Sequence, residues 1–175
     1  ETKARKDTAY ATEDAVYRHW DHNLPMNRVP HILMLDIASG RVTDLLEGSG
    51  YELPRREPSA NEFAISPNGK SICFVHDPDK AKNAAPRMAL VEIELKGSSV
   101  VAVRDLVKNK DWDFAGPAYS PTGDQLAFLA SHQSLKHTQP SHLALLEMKP
   151  QTVPKSKTQG TAWKTISAHW DREPQ

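Results

Sequence analysis

One stretch of this chain is written twice, and that repetition limits what the chain can fold into more than any other feature. Phe63-Ala64-Ile65-Ser66-Pro67-Asn68-Gly69-Lys70-Ser71-Ile72-Cys73-Phe74-Val75 returns 54 positions later as Pro117-Ala118-Tyr119-Ser120-Pro121-Thr122-Gly123-Asp124-Gln125-Leu126-Ala127-Phe128-Leu129. Ala, Ser, Pro, Gly and Phe recur at identical spacing, and the apolar pairs Ile72/Leu126 and Val75/Leu129 align with them. Proline presets φ for the first central position of a turn, and the glycine two residues on tolerates positive φ. Alternating apolar residues follow, Ile72 and Phe74 in one copy, Leu126 and Phe128 in the other. Each copy therefore predicts a β-hairpin with a tight turn.

Two further strands follow each hairpin. Ala89-Leu90-Val91-Glu92-Ile93 and Ala144-Leu145-Leu146-Glu147-Met148 read as third strands, and His31-Ile32-Leu33-Met34-Leu35-Asp36-Ile37 looks like the same strand of an earlier copy. Fourth strands are expected at Val100 to Val107, Ala162 to Ser167 and Arg41 to Leu46. Four short antiparallel strands per unit of roughly 50 residues, in tandem, are the sequence form of a β-propeller blade. The fold class is accordingly all-β, a partial propeller with a partial blade at about 10–48 and blades at about 61–107 and 115–167. A β-sandwich with many short strands is the plainer alternative, but it does not call for a 54-residue repeat. Propellers close with about four to eight blades, so the chain is expected to be part of a longer one. Trp112-Asp113 is echoed by Trp170-Asp171, which reads as the approach to a further repeat.

Composition excludes several functions. The 175 residues carry 22 basic and 22 acidic side chains, which removes the electrostatic footprint of a nucleic-acid binder. No stretch approaches the roughly 18 apolar residues of a membrane span, and mean hydropathy is −0.60. A single cysteine, Cys73, excludes an internal disulfide and Cys-based zinc sites. It reads as a small buried hydrophobe beside Ile72 and Phe74. The opening Glu1-Thr2-Lys3-Ala4-Arg5-Lys6-Asp7 is neither a signal peptide nor an ordinary start, as expected of an excised piece.

The Ser-Pro-[Asn/Thr]-Gly hairpin resembles the WD40-like repeat of TolB-type propellers. Thr12-Glu13-Asp14-Ala15-Val16-Tyr17-Arg18-His19-Trp20-Asp21-His22, with Arg28-Val29-Pro30 leading into His31 to Asp36, is similar to the prolyl-oligopeptidase family of serine peptidases, and within it to dipeptidyl-peptidase and acylaminoacyl-peptidase relatives. Ser167-Ala168-His169-Trp170-Asp171-Arg172 resembles that family's inter-blade segments. The resemblance implies a propeller that restricts peptide access to an α/β-hydrolase domain carrying a Ser-Asp-His triad. It implies peptide substrates and the parent's own hydrolase domain as partners, no cofactor, and a periplasmic or secreted setting in preference to a cytoplasmic one.

The triad itself is not expected within these residues. A nucleophile elbow needs Gly-x-Ser-x-Gly on a strand-turn-helix, and the closest approach is Gly48-Ser49-Gly50 in a polar loop. No alternation of strands and helices points to a parallel sheet. The chain alone should be catalytically inert. The alternative function is a TolB-like propeller serving as a non-enzymatic interaction scaffold. A propeller lectin or metal-dependent lactonase would need aligned carboxylates, and Asp36, Glu92 and Glu147 do recur, although exposure at a strand end explains them more simply.

Arg18, Trp20 and Asp21 form the cluster richest in chemistry and are the candidate substrate-binding residues. Arginine can clamp a carboxylate bidentately and tryptophan offers an aromatic wall; the plainer reading packs Trp20 between blades and pairs Arg18 with a nearby acid. His19 and His22, or His132, His137 and His142, could in principle ligate zinc with a carboxylate such as Asp21, but their spacing fits no established metal motif. No metal site is assigned. Trp112, Trp163 and Trp170 read as blade-packing aromatics, because a stacking platform for nucleic acid would want excess basic residues around it.

Overall fold

The computed structural model describes residues 29–55, 59–78, 87–134, 140–148 and 162–170. Ten strands are found among these residues, with a 3-10 turn at Ala60–Glu62: β1 (Leu33–Leu35), β2 (Val42–Asp44), β3 (Phe63–Ile65), β4 (Ser71–His76), β5 (Ala89–Lys96), β6 (Ser99–Val107), β7 (Trp112–Tyr119), β8 (Gln125–His132), β9 (His142–Glu147) and β10 (Trp163–Thr165). They form one two-stranded sheet, β1-β2, and two four-stranded sheets, β3-β4-β5-β6 and β7-β8-β9-β10, each joined in sequence order. Every pairing is antiparallel. The fold is all-β. β7 begins at Trp112, ahead of the expected 115, and a bulge at Ala115–Ala118 absorbs Gly116 and Pro117. Because β7 is the edge of its sheet, the missing proline N–H breaks no ladder.

The two hairpin corners share their hydrogen bonds. Ser66 N donates to Ser71 O (2.8 Å), Gly69 N to Ser66 O (2.9 Å) and Ser71 N to Ser66 Oγ (2.9 Å). Ser120 N donates to Gln125 O (2.9 Å), Gly123 N to Ser120 O (2.9 Å) and Gln125 N to Ser120 Oγ (3.0 Å). Gly69 and Gly123 hold φ of 69° and 76°, the left-handed region that favours glycine. The corners lie side by side: a Cβ on Gly123 would come within 3.3 Å of Pro67 Cδ.

The sheets stack face to face. In β4, Ile72 and Phe74 point into one core with Val91, Ile93 and Leu95, against Ile32, Leu45, Leu46 and Leu53 from the β1-β2 region. The alternate residues Cys73 and Val75 enter a second core with Leu90, Leu106 and Val107, against Phe114, Leu126, Phe128, Ala130, Ala144 and Leu146 of the β7-β10 sheet. The central strands β4 and β5 are thus buried on both faces, which explains why β4 reads as a nearly unbroken apolar run. Register makes Leu126 the counterpart of Ile72, Phe128 of Phe74, and Leu146 of Ile93. In both four-stranded sheets these residues face the preceding sheet.

Register also corrects one reading. Ser71 pairs with Glu94 and Gln125 with Glu147, so the counterpart of Glu147 is Glu94, two residues beyond Glu92. Glu92 does not lie on an exposed strand end. It is buried, opposite Cys73 on one side and Arg104 on the other, and Arg104 Nη2 donates to its Oε2 at 2.5 Å. Tyr119, from the next sheet, brings its hydroxyl to this region, where it has no hydrogen-bond partner among the described residues. Burial first, then the negative charge of Glu92, raises the Cys73 thiol pKa. Burial is also the main cause of the upward shift of the Tyr119 hydroxyl.

Trp163 sits in an aromatic box, edge-on to Trp112 (5.1 Å), Phe114 (5.4 Å) and Phe128 (6.0 Å). Trp170 departs from its expected packing role: it is 50% exposed and touches His169 edge-on.

Phe114→Ala should cost about 3–5 kcal/mol in urea unfolding followed by tryptophan fluorescence, since it empties the box. Tyr119→Phe should leave stability unchanged or higher, because it deletes a buried hydroxyl with no partner. Cys73 should resist a thiol reagent in the native protein and react with one equivalent once the chain is unfolded.

Candidate binding face of the stack

The hairpin corners mark one end of the stack. At the opposite end emerge the β4–β5 and β8–β9 connections and the links between sheets, and polar side chains gather there. After β2 the chain turns through Gly48-Ser49-Gly50, where Ser49 Oγ donates to Leu46 O (2.7 Å) and accepts from Tyr51 N (3.1 Å). Ser49 thus serves its own turn. Tyr51 then packs edge-on against Phe74 and His76, with ring centroids at 6.5 and 4.9 Å.

Glu52, the next residue, is buried. His76 Nδ1 lies 2.9 Å from its carbonyl oxygen and 3.4 Å from its amide nitrogen; as the Nδ1–H tautomer the ring donates to the carbonyl. Arg55 grips the Glu52 carboxylate with two donors, Nε to Oε1 at 2.7 Å and an Nη2 to Oε2 at 3.1 Å. Such a fork holds both groups in one orientation and compensates the cost of burying the acid. The link between sheets is therefore pinned to the end of β4.

A second junction ties the two four-stranded sheets. Met88 N, just before β5, donates to Asp113 Oδ1 of β7 at 2.6 Å, and Arg87 Nε donates to Lys110 O at 3.3 Å. Desolvation raises the Asp113 carboxyl pKa, with the negative charge of Asp77 adding to it; the Met88 N–H and the Arg87 charge oppose the rise. Beside it Trp112 packs edge-on against His132 at 4.9 Å, and Ser131 Oγ lies 2.8 Å from Ser141 Oγ.

Two pairings carry part of a hydrolytic constellation. His132 Nδ1 is 2.9 Å from Ser134 Oγ, but it also accepts from Ser134 N at 3.2 Å, the geometry of a local turn. His31 Nδ1 is 2.7 Å from Asp44 Oδ2, joining an imidazole to a carboxylate. These two pairs lie in different sheets, and a triad needs hydroxyl, imidazole and acid in one chain of hydrogen bonds. Among the described residues no group of three or more His, Cys, Asp or Glu could hold a metal ion. What this end offers is a surface for binding and orientation: a guanidinium–carboxylate fork, a desolvated acid and an aromatic edge.

Among curated proteins, the chain is similar to Dipeptidyl-peptidase 5 of Porphyromonas gingivalis, at 24% identity over 137 residues covering 71% of this chain and 18% of that protein. The likeness is to a peptidase-related family. The chain thus spans less than a fifth of the length of that relative. No family profile matches it.

Of the residues singled out from the sequence, Arg18, Trp20 and Asp21 lie outside the described residues, as do His19, His22 and His137. His132 and His142 are half-buried at the end of β8 and the start of β9. Glu52, Arg55, His76 and Arg87 carry no motif, and Asp113 stands out in the sequence only through the Trp112-Asp113 echo, which gives no hint of its contact. The i,i+3 spacing of Glu52 and Arg55 is a faint signal for an ion pair, whereas the contact of Asp113 with Met88 spans 25 residues and two sheets.

The raised pKa of Asp113 sets a sign. A carboxyl whose folded-state pKa lies above its unfolded value destabilises the fold where it is ionised, and the penalty fades as pH falls through the folded pKa. Asp113→Asn keeps an acceptor for Met88 N without the charge. It should equal or exceed the parent in stability at pH 7, and the gap should close as the pH is lowered through the carboxylate range. Asp113→Ala, which leaves the Met88 N–H unpaired, should cost about 1–3 kcal/mol. Urea unfolding at several pH values checks both.

Proposed function

We propose that the chain is a run of β-propeller blades from a serine peptidase of the prolyl-oligopeptidase type, itself without catalytic groups, that gates peptide access to a hydrolase domain. On this reading β3-β6 is the blade expected at about 61–107, β7-β10 is the blade expected at about 115–167 with β7 starting three residues earlier at Trp112, and β1-β2 is the outer pair of a preceding blade at about 10–48. The observation that carries it is the recurrence of one stacking relation: equivalent residues, Ile72/Phe74 and Leu126/Phe128, face the preceding sheet at both interfaces. Radial repetition of a four-stranded sheet requires such a rule, and a two-layer sandwich does not. The similarity to Dipeptidyl-peptidase 5 supports the peptidase assignment.

The polar end, with Glu52–Arg55, Asp113 and Trp112, is the face over which peptides would pass, and Arg18, Trp20 and Asp21 are proposed as substrate contacts. The 175-residue chain should neither hydrolyse dipeptide nor acyl-amino-acid chromogenic reporters nor take up a serine-directed fluorophosphonate. The longer product containing it should do both. In that enzyme Arg18→Ala should raise KM about tenfold, the loss of roughly one charged contact, with kcat preserved. A longer product whose sheets end without any hydrolase domain would instead favour a TolB-like interaction scaffold.

A further inference from the structure

Six asparagines stand in the chain, and only Asn68 is followed by glycine. That dipeptide carries a chemistry of its own. The backbone nitrogen of the second residue can attack the asparagine Cγ, and glycine, with no side chain, leaves the approach open. A bond forms from Gly69 N to Asn68 Cγ, the nitrogen's proton passes to the departing NH2, and ammonia leaves behind a five-membered succinimide. Water then opens the ring at either carbonyl. One product is aspartate. The other is isoaspartate, whose backbone runs through Cβ and Cγ and is longer by one methylene.

Asn68 is exposed at the corner between β3 and β4, within reach of water. The closed corner nonetheless holds the reacting groups out of line. Gly69 N donates to Ser66 O at 2.9 Å, so the electron pair left when that proton departs points at a carbonyl oxygen and not at Cγ. The side chain is fixed as well, because Asn68 Oδ1 accepts from Ser66 Oγ and from Lys70 N, both at 2.9 Å. Ser66 is buried, and its Oγ accepts in turn from Ser71 N at the start of β4. The clamp is therefore anchored in the hairpin, and attack requires a local opening of the corner.

The two products differ in what the corner can accept. Both donors address Oδ1, an oxygen that aspartate retains. The sister corner shows that a carboxylate suits this place: Thr122 stands where Asn68 stands, and Ser120 Oγ donates to Asp124 Oδ1 at 2.8 Å. Isoaspartate instead puts a methylene inside the turn closed by Ser66 O and Gly69 N. Pro67, the residue before it, lies against the sister corner, 3.3 Å from where a Cβ on Gly123 would stand.

We propose that Asn68 is a self-modifying site, held as asparagine by the closed corner and converted through the succinimide to aspartate or isoaspartate when the corner opens. Aspartate leaves the corner intact. Isoaspartate breaks the turn and loosens the junction between the two four-stranded sheets. This chemistry needs the two corners but not the radial arrangement of the sheets.

The test is to incubate the full chain in mildly alkaline buffer, folded and in urea, and to follow each asparagine peptide by mass and by enzymatic methylation of isoaspartate. In urea Asn68 should convert ahead of the other asparagines, and in the folded chain it should convert at least about tenfold more slowly. Ser66→Ala removes the side-chain clamp and should speed conversion in the folded chain several-fold, with Cys73 still protected from a thiol reagent. If that variant exposes Cys73, Pro67→Ala, which frees the turn's φ, replaces it in the same assay. Asn68→Asp should protect Cys73 as the parent does, whereas the isoaspartate fraction should label faster. An Asn68 that converts no faster than the other asparagines in urea overturns the site. Equal rates folded and unfolded with Cys73 protected, or a folded rate indifferent to the loosened corner, overturns the clamp. An isoaspartate form that labels no faster than Asn68→Asp overturns the loosening of the junction.

Discussion

Burial of one sheet on both sides governs this structure. The central strands β4 and β5 of the β3-β6 sheet are buried on both faces, so successive residues of β4 answer to different neighbours, Ile72 and Phe74 to one core, Cys73 and Val75 to the other. That demand explains the apolar density of β4 and β5. It also explains why the glutamates that remain inside are paired. Glu92 is held by Arg104, and Glu52 by Arg55 with His76 at its backbone. A charge left alone between two sheets would cost several kcal/mol, roughly the margin by which a small domain is stable at all.

Much of this architecture could be read from the residues. The Ser-Pro-x-Gly corners announce themselves because the turn needs proline's φ, a positive-φ glycine and a serine hydroxyl, and few other residues supply these. Strand order followed from the corners, since consecutive strands at such short spacing pair antiparallel with little choice. The alignment of the third strands went astray by two residues for an equally physical reason. Side chains alternate with a period of two, so a slip of two keeps every apolar residue on its proper face and leaves no trace in the pattern. The sequence pattern therefore aligns Glu92 with Glu147, and a buried ion pair reads as a solvated strand end.

The polar end of the stack was largely illegible. The contacts that tie its sheets together join residues 24 or 25 positions apart, as in Glu52 with His76 and Met88 with Asp113, and each depends on where separate sheets meet. Trp170 illustrates the converse. Its neighbours in sequence resemble those of Trp112, yet Trp112 enters a strand and an aromatic box while Trp170 lies outside both. Like residue types do not carry like environments unless the strand that holds them is also repeated.

The near contact between Gly123 and Pro67 bears on how such a chain could be altered. Two corners from different sheets share a few ångströms of space, so a side chain at Gly123 would have to displace Pro67 of the neighbouring corner, whereas a Cβ at Gly69 meets nothing within 4 Å. At the far end, twelve residues separate His76 from Ala89 and nine separate His132 from His142. Foreign segments could be spliced into those spans and inherit a rigid platform, whereas the corner seam admits no such grafting.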